Sequence, residues 1–235
     1  MARGEVGVVA TPFTFFVHGL GVIAAVLVLV WCIYFRGGLA FSSSNKSLIF
    51  NIHPVLMLIG FVFVASEAIL AYRILPGTKE VRKIIHLSLH FIALVLGIVG
   101  IYAAFKYHNE SGIVNLYSLH SWIGLGTICL FGIQWLIGLV TFFYPGGSQT
   151  VKATILPWHV IFGLFVYILA LATAELGFLE KLTFLENSGL DKYGSEALLV
   201  NFTALVVVFL GAFVILSAVL PTQREPQGYA PIAED

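Results

Sequence analysis

Six long apolar stretches, each able to cross a bilayer as a helix, decide most of what this 235-residue chain can become. A hydrocarbon core about 30 Å thick needs roughly 20 consecutive apolar residues at helical rise. Runs over residues 12–35, 52–72, 84–105, 119–144, 157–179 and 197–220 meet that length, with charged or turn residues between them. Inside lipid every backbone N–H and C=O must be paired, so the choice is between a helix bundle and a closed barrel. No ten-residue alternation marks a barrel strand. The fold class predicted is an all-α membrane protein of six transmembrane helices, with both termini on one face.

Composition agrees: 59% of residues are hydrophobic and 10% charged, and the mean hydropathy is +0.98, far from soluble domains. A formal net charge of zero offers no basic surface for nucleic acid. The first run is longer than a signal-peptide core and is read as a retained helix. Connecting segments are short, so residues 1–235 read as one domain, and the stretch from about residue 221, "PTQREPQGYAPIAED", reads as a flexible tail. Cys32 and Cys129 both fall inside apolar runs, where a small thiol packs easily and no disulfide framework is expected.

Lys and Arg favour the cytosolic side of membrane proteins. If the termini lie there, that side holds Arg3, Arg73, Lys79, Arg82, Lys83, Lys152 and Arg224, against Arg36, Lys46, Lys106, Lys181 and Lys192 opposite. The densest basic loop, "YRILPGTKEVRK", falls on the same side, and the Asn-x-Ser/Thr matches at Asn45, Asn109 and Asn201 fall on the other. The termini are therefore expected in the cytosol.

Four of the seven histidines, His53, His86, His120 and His159, begin successive runs. Because each helix reverses the chain, His53 and His120 share one membrane face, and His86 and His159 the other. A single histidine at such a place reads as an interfacial residue at a helix start, with Pro54 in the first turn and Ser118 as a cap. An alternating quartet reads differently. Ionisable groups are costly in a bilayer and mark function, and facing neutral imidazoles suit haem iron. Proton or metal-ion passage along the same histidines and Glu67 is the competing use. His90, one turn after His86, shares its face, but no neighbouring Cys or carboxylate completes a zinc site.

Fourteen residues is close to four helical turns, about 21 Å along the axis. Each of these helices therefore presents a residue at the opposite pair: Gly100 from His86, Thr173 from His159, Glu67 from His53 and Gln134 from His120, with Gly138 on the same face. Small residues leave room for a flat macrocycle. Glu67 and Gln134 are expected to face inward together and to hydrogen-bond to each other.

Through "FNIHPVLM", "AYRILP", "IIHLSLH", "NLYSLHSWIG" and "LPWHVIFG", in that order and at alternating helix ends, the chain resembles the cytochrome b-561 family of transmembrane ascorbate-dependent oxidoreductases over nearly its whole length. The resemblance implies a central four-helix bundle holding two b-type haems, and a homodimer. It makes His53 and His120 the axial iron ligands of the non-cytosolic haem, and His86 and His159 those of the cytosolic one. It implies one-electron transfer from cytosolic ascorbate through both haems to monodehydroascorbate or ferric chelates opposite. Matching positions assign Lys79, Lys83 and Lys152 to ascorbate, Arg73 to a haem propionate, and Asn115 to a haem edge. His108 and Tyr117 match the outer substrate site, so Lys83 and His108 are the residues expected to act at electron entry and exit. Lysine suits the donor, because ascorbate is an anion near neutral pH and an ammonium is a mobile point charge. A vacuolar or other endomembrane location follows from the likeness alone. Two other functions fit the same residues: a haem-free proton or metal-ion transporter, and an electron-relay subunit serving a partner oxidase.

Overall fold

The computed structural model describes residues 12–220. The tail expected from about residue 221 lies outside the described residues, as do Arg3 and Arg224. Among the described residues, six helices are long and apolar enough to cross a membrane: α1 (Phe13–Phe35), α2 (Ser47–Ile74), α3 (Lys79–Ser111), α4 (Leu119–Phe143), α5 (Gln149–Asn187) and α6 (Ser195–Val219). Among the described residues there is no strand.

The apolar runs and the helices do not share their boundaries. α3 and α5 start before their runs because each has its own cap: the Thr78 hydroxyl accepts from the Val81 N–H, and the Ser148 hydroxyl from that of Val151. α5 then passes through Pro157 without ending. The run beginning at residue 157 thus starts eight residues inside the hydrogen-bonded helix. α4 opens on a reciprocal capping box between Ser118 and Ser121. α3 closes at Gly112, whose φ of +67° lets the Ile113 N–H return to the His108 carbonyl.

Helices α2 to α5 form the central bundle, α2 packed on α3 and α4 on α5, while α1 and α6 pack on each other and lie against α2 and α5. Two apolar cores result. The larger joins α1 and α6 to the bundle through Val17, Val28, Leu70, Tyr167, Val207 and Leu210. The smaller fills the bundle's middle with Phe61, Ala65, Ala93, Ile128, Phe131, Val166 and Ala170. The Phe61 and Phe131 ring centroids stand 4.8 Å apart there.

Two buried polar side chains tie the connections to the helices. Glu196, at the start of α6, accepts from the indole of Trp31 at 2.9 Å and from the guanidinium of Arg36. Truncating Arg36 strands that buried carboxylate, a loss of about 3–5 kcal/mol for such pairs. Buried Asn51 donates to the carbonyls of Arg36 and Gly38, tying the α1–α2 connection to the bundle.

Three stretches widen into π-helix: Val30–Phe35, Leu56–Phe63 and Leu139–Phe143. A π turn accommodates an extra residue, so every position after it slips by one relative to the α-helical face.

Candidate functional site

The chain reversals bring the four histidines together as two pairs. The rings of His53 and His120 have centroids 6.0 Å apart, and those of His86 and His159 are 6.3 Å apart. Each ring is held at Nδ1. His53 Nδ1 lies 3.0 Å from the Gly100 carbonyl, His86 Nδ1 2.8 Å from that of Ala68, and His120 Nδ1 2.9 Å from that of Thr173. A carbonyl only accepts, so these three rings carry the proton on Nδ1 and leave the Nε2 lone pair free. His159 Nδ1 is met instead by the Gln134 amide at 3.0 Å.

The partners follow the fourteen-residue spacing. Gly100, Thr173 and Gln134 stand where four turns from His86, His159 and His120 put them. On α2 the partner is Ala68 rather than Glu67, one residue late, and the π stretch Leu56–Phe63 lies between His53 and that position. Glu67 does not meet Gln134. Its carboxylate pairs with His18 Nδ1 on α1 at 2.8 Å, because the slip turns it from the bundle interior toward the outer helix.

A flat iron macrocycle fits between such rings. A metal–imidazole bond of about 2 Å, plus roughly 1 Å from ring nitrogen to centroid, separates two trans imidazole centroids by about 6 Å. Glycines also leave the rings unobstructed. A Cβ at Gly177 would stand 2.8 Å from His120 Cε1, and one at Gly138 3.1 Å from His159 Cε1. A cleft of ≈ 1510 Å³, solvent at its mouth included, opens beside the first pair and is lined by His53, His120, Phe61, Gly124 and Gly177. Among the described residues, no three His, Cys, Asp or Glu side chains converge as a bare metal-ion site. His90 instead packs between His86, at 4.5 Å, and Phe131, at 5.4 Å.

The remaining sequence candidates divide by side. At the mouth of the cleft, His108 stacks on Tyr117 at 6.2 Å, and Asn115 donates to the Asn109 side chain at 2.8 Å. Burial, with the Glu180 carboxylate next to it, raises the Tyr117 phenol above its ordinary pKa. Lys181 lines the same cleft with its ammonium 4.3 Å from the centre of the Phe50 ring. The site candidates read from the sequence do not include Lys181 and Glu180, although both fall one turn beyond Gly177.

At the other pair, Lys83 donates to the Phe142 carbonyl at 3.2 Å, and the Phe142 ring lies 5.2 Å from that of His159. Lys152 reaches the same α4–α5 connection, where a Cβ on Gly146 would stand 3.6 Å from its ammonium. Lys79 is exposed one turn before Lys83. The Arg73 guanidinium donates to the Ala218 and Leu220 carbonyls at the end of α6.

Paired imidazoles at two depths of one helical bundle are an arrangement whose chemistry suits haem iron within a bilayer. The chain belongs to the eukaryotic cytochrome b561 family, whose model matches residues 52–185, and the family is one of b-type haem proteins. It is 68% identical to ascorbate-specific transmembrane electron transporter 2 of Zea mays, over 97% of this chain and 98% of that protein. It is 64% identical to transmembrane ascorbate ferrireductase 1 of Arabidopsis thaliana, over 89% and 87% of the two chains.

Proposed function

We propose that this protein carries single electrons across its membrane, from ascorbate on the cytosolic face to monodehydroascorbate or a ferric chelate on the other. The observation that carries the reading is the pair of facing imidazole pairs, at 6.0 and 6.3 Å, on the four central helices. The activities named for the Zea mays and Arabidopsis relatives support it.

On this reading His86 and His159 hold one b-type haem, and His53 and His120 a second. Bound haem supplies reversible one-electron storage at each pair. The chain supplies the rest. Lys79, Lys83 and Lys152 raise the local concentration of the anionic donor, and Lys83 reaches Phe142, against the His159 ring. Nδ1 hydrogen bonds fix the ring planes. Between the pairs Phe61, Phe131 and Ile128 fill the middle of the bundle with apolar side chains. At the far mouth His108, Tyr117 and Asn115 face the acceptor. Arg73, which the family likeness assigned to a haem propionate, acts on this reading through the end of α6.

The basic loop from Arg73 to Lys83 supports cytosolic termini by charge asymmetry. The vacuolar or other endomembrane location and the homodimer rest on the family likeness.

The test uses purified protein, first with ascorbate in a spectrophotometer, then in liposomes with ascorbate inside and a ferric chelate outside. The expected result is b-type bands reduced in two phases, followed by external ferric reduction. Absence of ascorbate-reducible bands would leave a histidine-lined proton or metal-ion route. Reducible bands without ferric reduction would point to a relay for a partner oxidase.

A further inference from the structure

Three of the four imidazoles are held by main-chain carbonyls, and the fourth by a side chain. Gln134 Nε2 lies 3.0 Å from His159 Nδ1 and donates to the His159 carbonyl at 2.6 Å. The interface is cut to fit this contact. A Cβ at Gly163, one turn beyond His159, would stand 3.3 Å from Gln134 Nε2, and Gly138, one turn beyond Gln134, clears the His159 ring in the same way. Helices α4 and α5 therefore each set a polar side chain against a glycine of the other. Glu67 does not compete for the amide, being paired with His18.

A carboxamide differs from a carbonyl in that it offers both a donor and an acceptor, exchanged by half a turn about its last bond. With NH2 toward the ring, Nδ1 accepts and the ring proton sits on Nε2. Iron at Nε2 requires the proton on Nδ1; the amide then meets it with oxygen and gives up its bond to the His159 carbonyl, which only accepts. We propose that Gln134 is a positioning residue for His159, fixing its ring and tautomer, and that its acceptor strength tunes the iron held there and no other. The proposal rests on reading His86 and His159 as an axial pair. A partner that accepts from Nδ1–H raises ligand basicity and favours the ferric state. Removing it raises the reduction potential, and a carboxylate in its place lowers it.

The experiment is a redox titration of purified holoprotein, with electron paramagnetic resonance of the ferric state, on wild type, Gln134→Leu and Gln134→Glu. We expect Gln134→Leu to raise, and Gln134→Glu to lower, the midpoint of one component. The expected size is about a tenfold change in its ferric-to-ferrous ratio, 59 mV for one electron. The other component, held by Gly100 and Thr173 carbonyls, stays in place as an internal reference. Loss of one haem in Gln134→Leu with its retention in Gln134→Glu also supports the proposal. Unmoved midpoints and resonances in both variants overturn it, as does equal movement of both components or loss of both haems in both variants. A wild type with one component, or with two that both survive His159→Ala, sinks the ligand assignment beneath it instead.

Discussion

The two histidine pairs use one residue type on the same four helices, yet their rings are held by different means. Around His53 and His120 both partners are main-chain carbonyls, of Gly100 and Thr173. The space beside them widens to a mouth with His108, Tyr117 and Lys181. Around His86 and His159 side chains crowd in: His90 at 4.5 Å and Tyr72 at 5.2 Å from His86, Phe142 at 5.2 Å from His159, and the Gln134 amide. A carbonyl partner survives any substitution at its own position, whereas a side-chain partner can be exchanged. Two sites with identical ligands can therefore differ in potential and access through their second layer alone.

The largest effect that sharpens this contrast comes from the ligands. His159→Ala should remove about half of the ascorbate-reducible haem absorbance and nearly all fast reduction by ascorbate, while His53→Ala removes the other half. Haem content per chain measures it, and loss of both haems from either single change would show the sites to be interdependent. Next comes Lys83→Ala, expected to slow ascorbate reduction roughly tenfold at low ionic strength, and less at high salt, with both haems retained. Stopped-flow absorbance across a salt series reads this, and a rate equal to wild type at low salt removes Lys83 from the donor site. The smallest effects are steric. Gly177→Ala, with its Cβ 2.8 Å from the His120 ring, should perturb its haem resonance more than Gly138→Ala, at 3.1 Å from His159, perturbs the other. Equal or reversed shifts would mean that the rings move freely, and the contrast in how they are held would lose its force.

Much of this arrangement is legible in the chain because length and direction are. Six apolar runs fix six crossings, and alternation at helix starts pairs His53 with His120 and His86 with His159. Four-turn spacing finds Gly100, Thr173 and Gln134, since α3, α5 and the relevant part of α4 are regular. It misses by one on α2, where the π stretch Leu56–Phe63 inserts a residue that hydropathy does not register. The same slip carries Glu67 to His18, and no pattern within one helix names the neighbour it will face. Arg73 is opaque for a related reason. Its partners are the final carbonyls of α6, and carbonyls at a helix end have no sequence signature. Pro157 reads as a helix boundary by composition, yet the cap at Ser148 starts α5 eight residues earlier.

Each of the four central helices touches both sites, and α5 shows it most simply. α5 runs unbroken for 39 residues, about 58 Å. It carries His159 for one pair and the Thr173 carbonyl and Gly177 for the other, about 21 Å further on by its rise. The spacing of the two pairs is thus a property of continuous covalent rods, not of a hinge between bodies. A carrier that rocks to expose its cargo stalls when the surrounding lipid freezes. A chain whose two stations are fastened to one beam has nothing to rock, and passage between them should continue in gel-phase lipid.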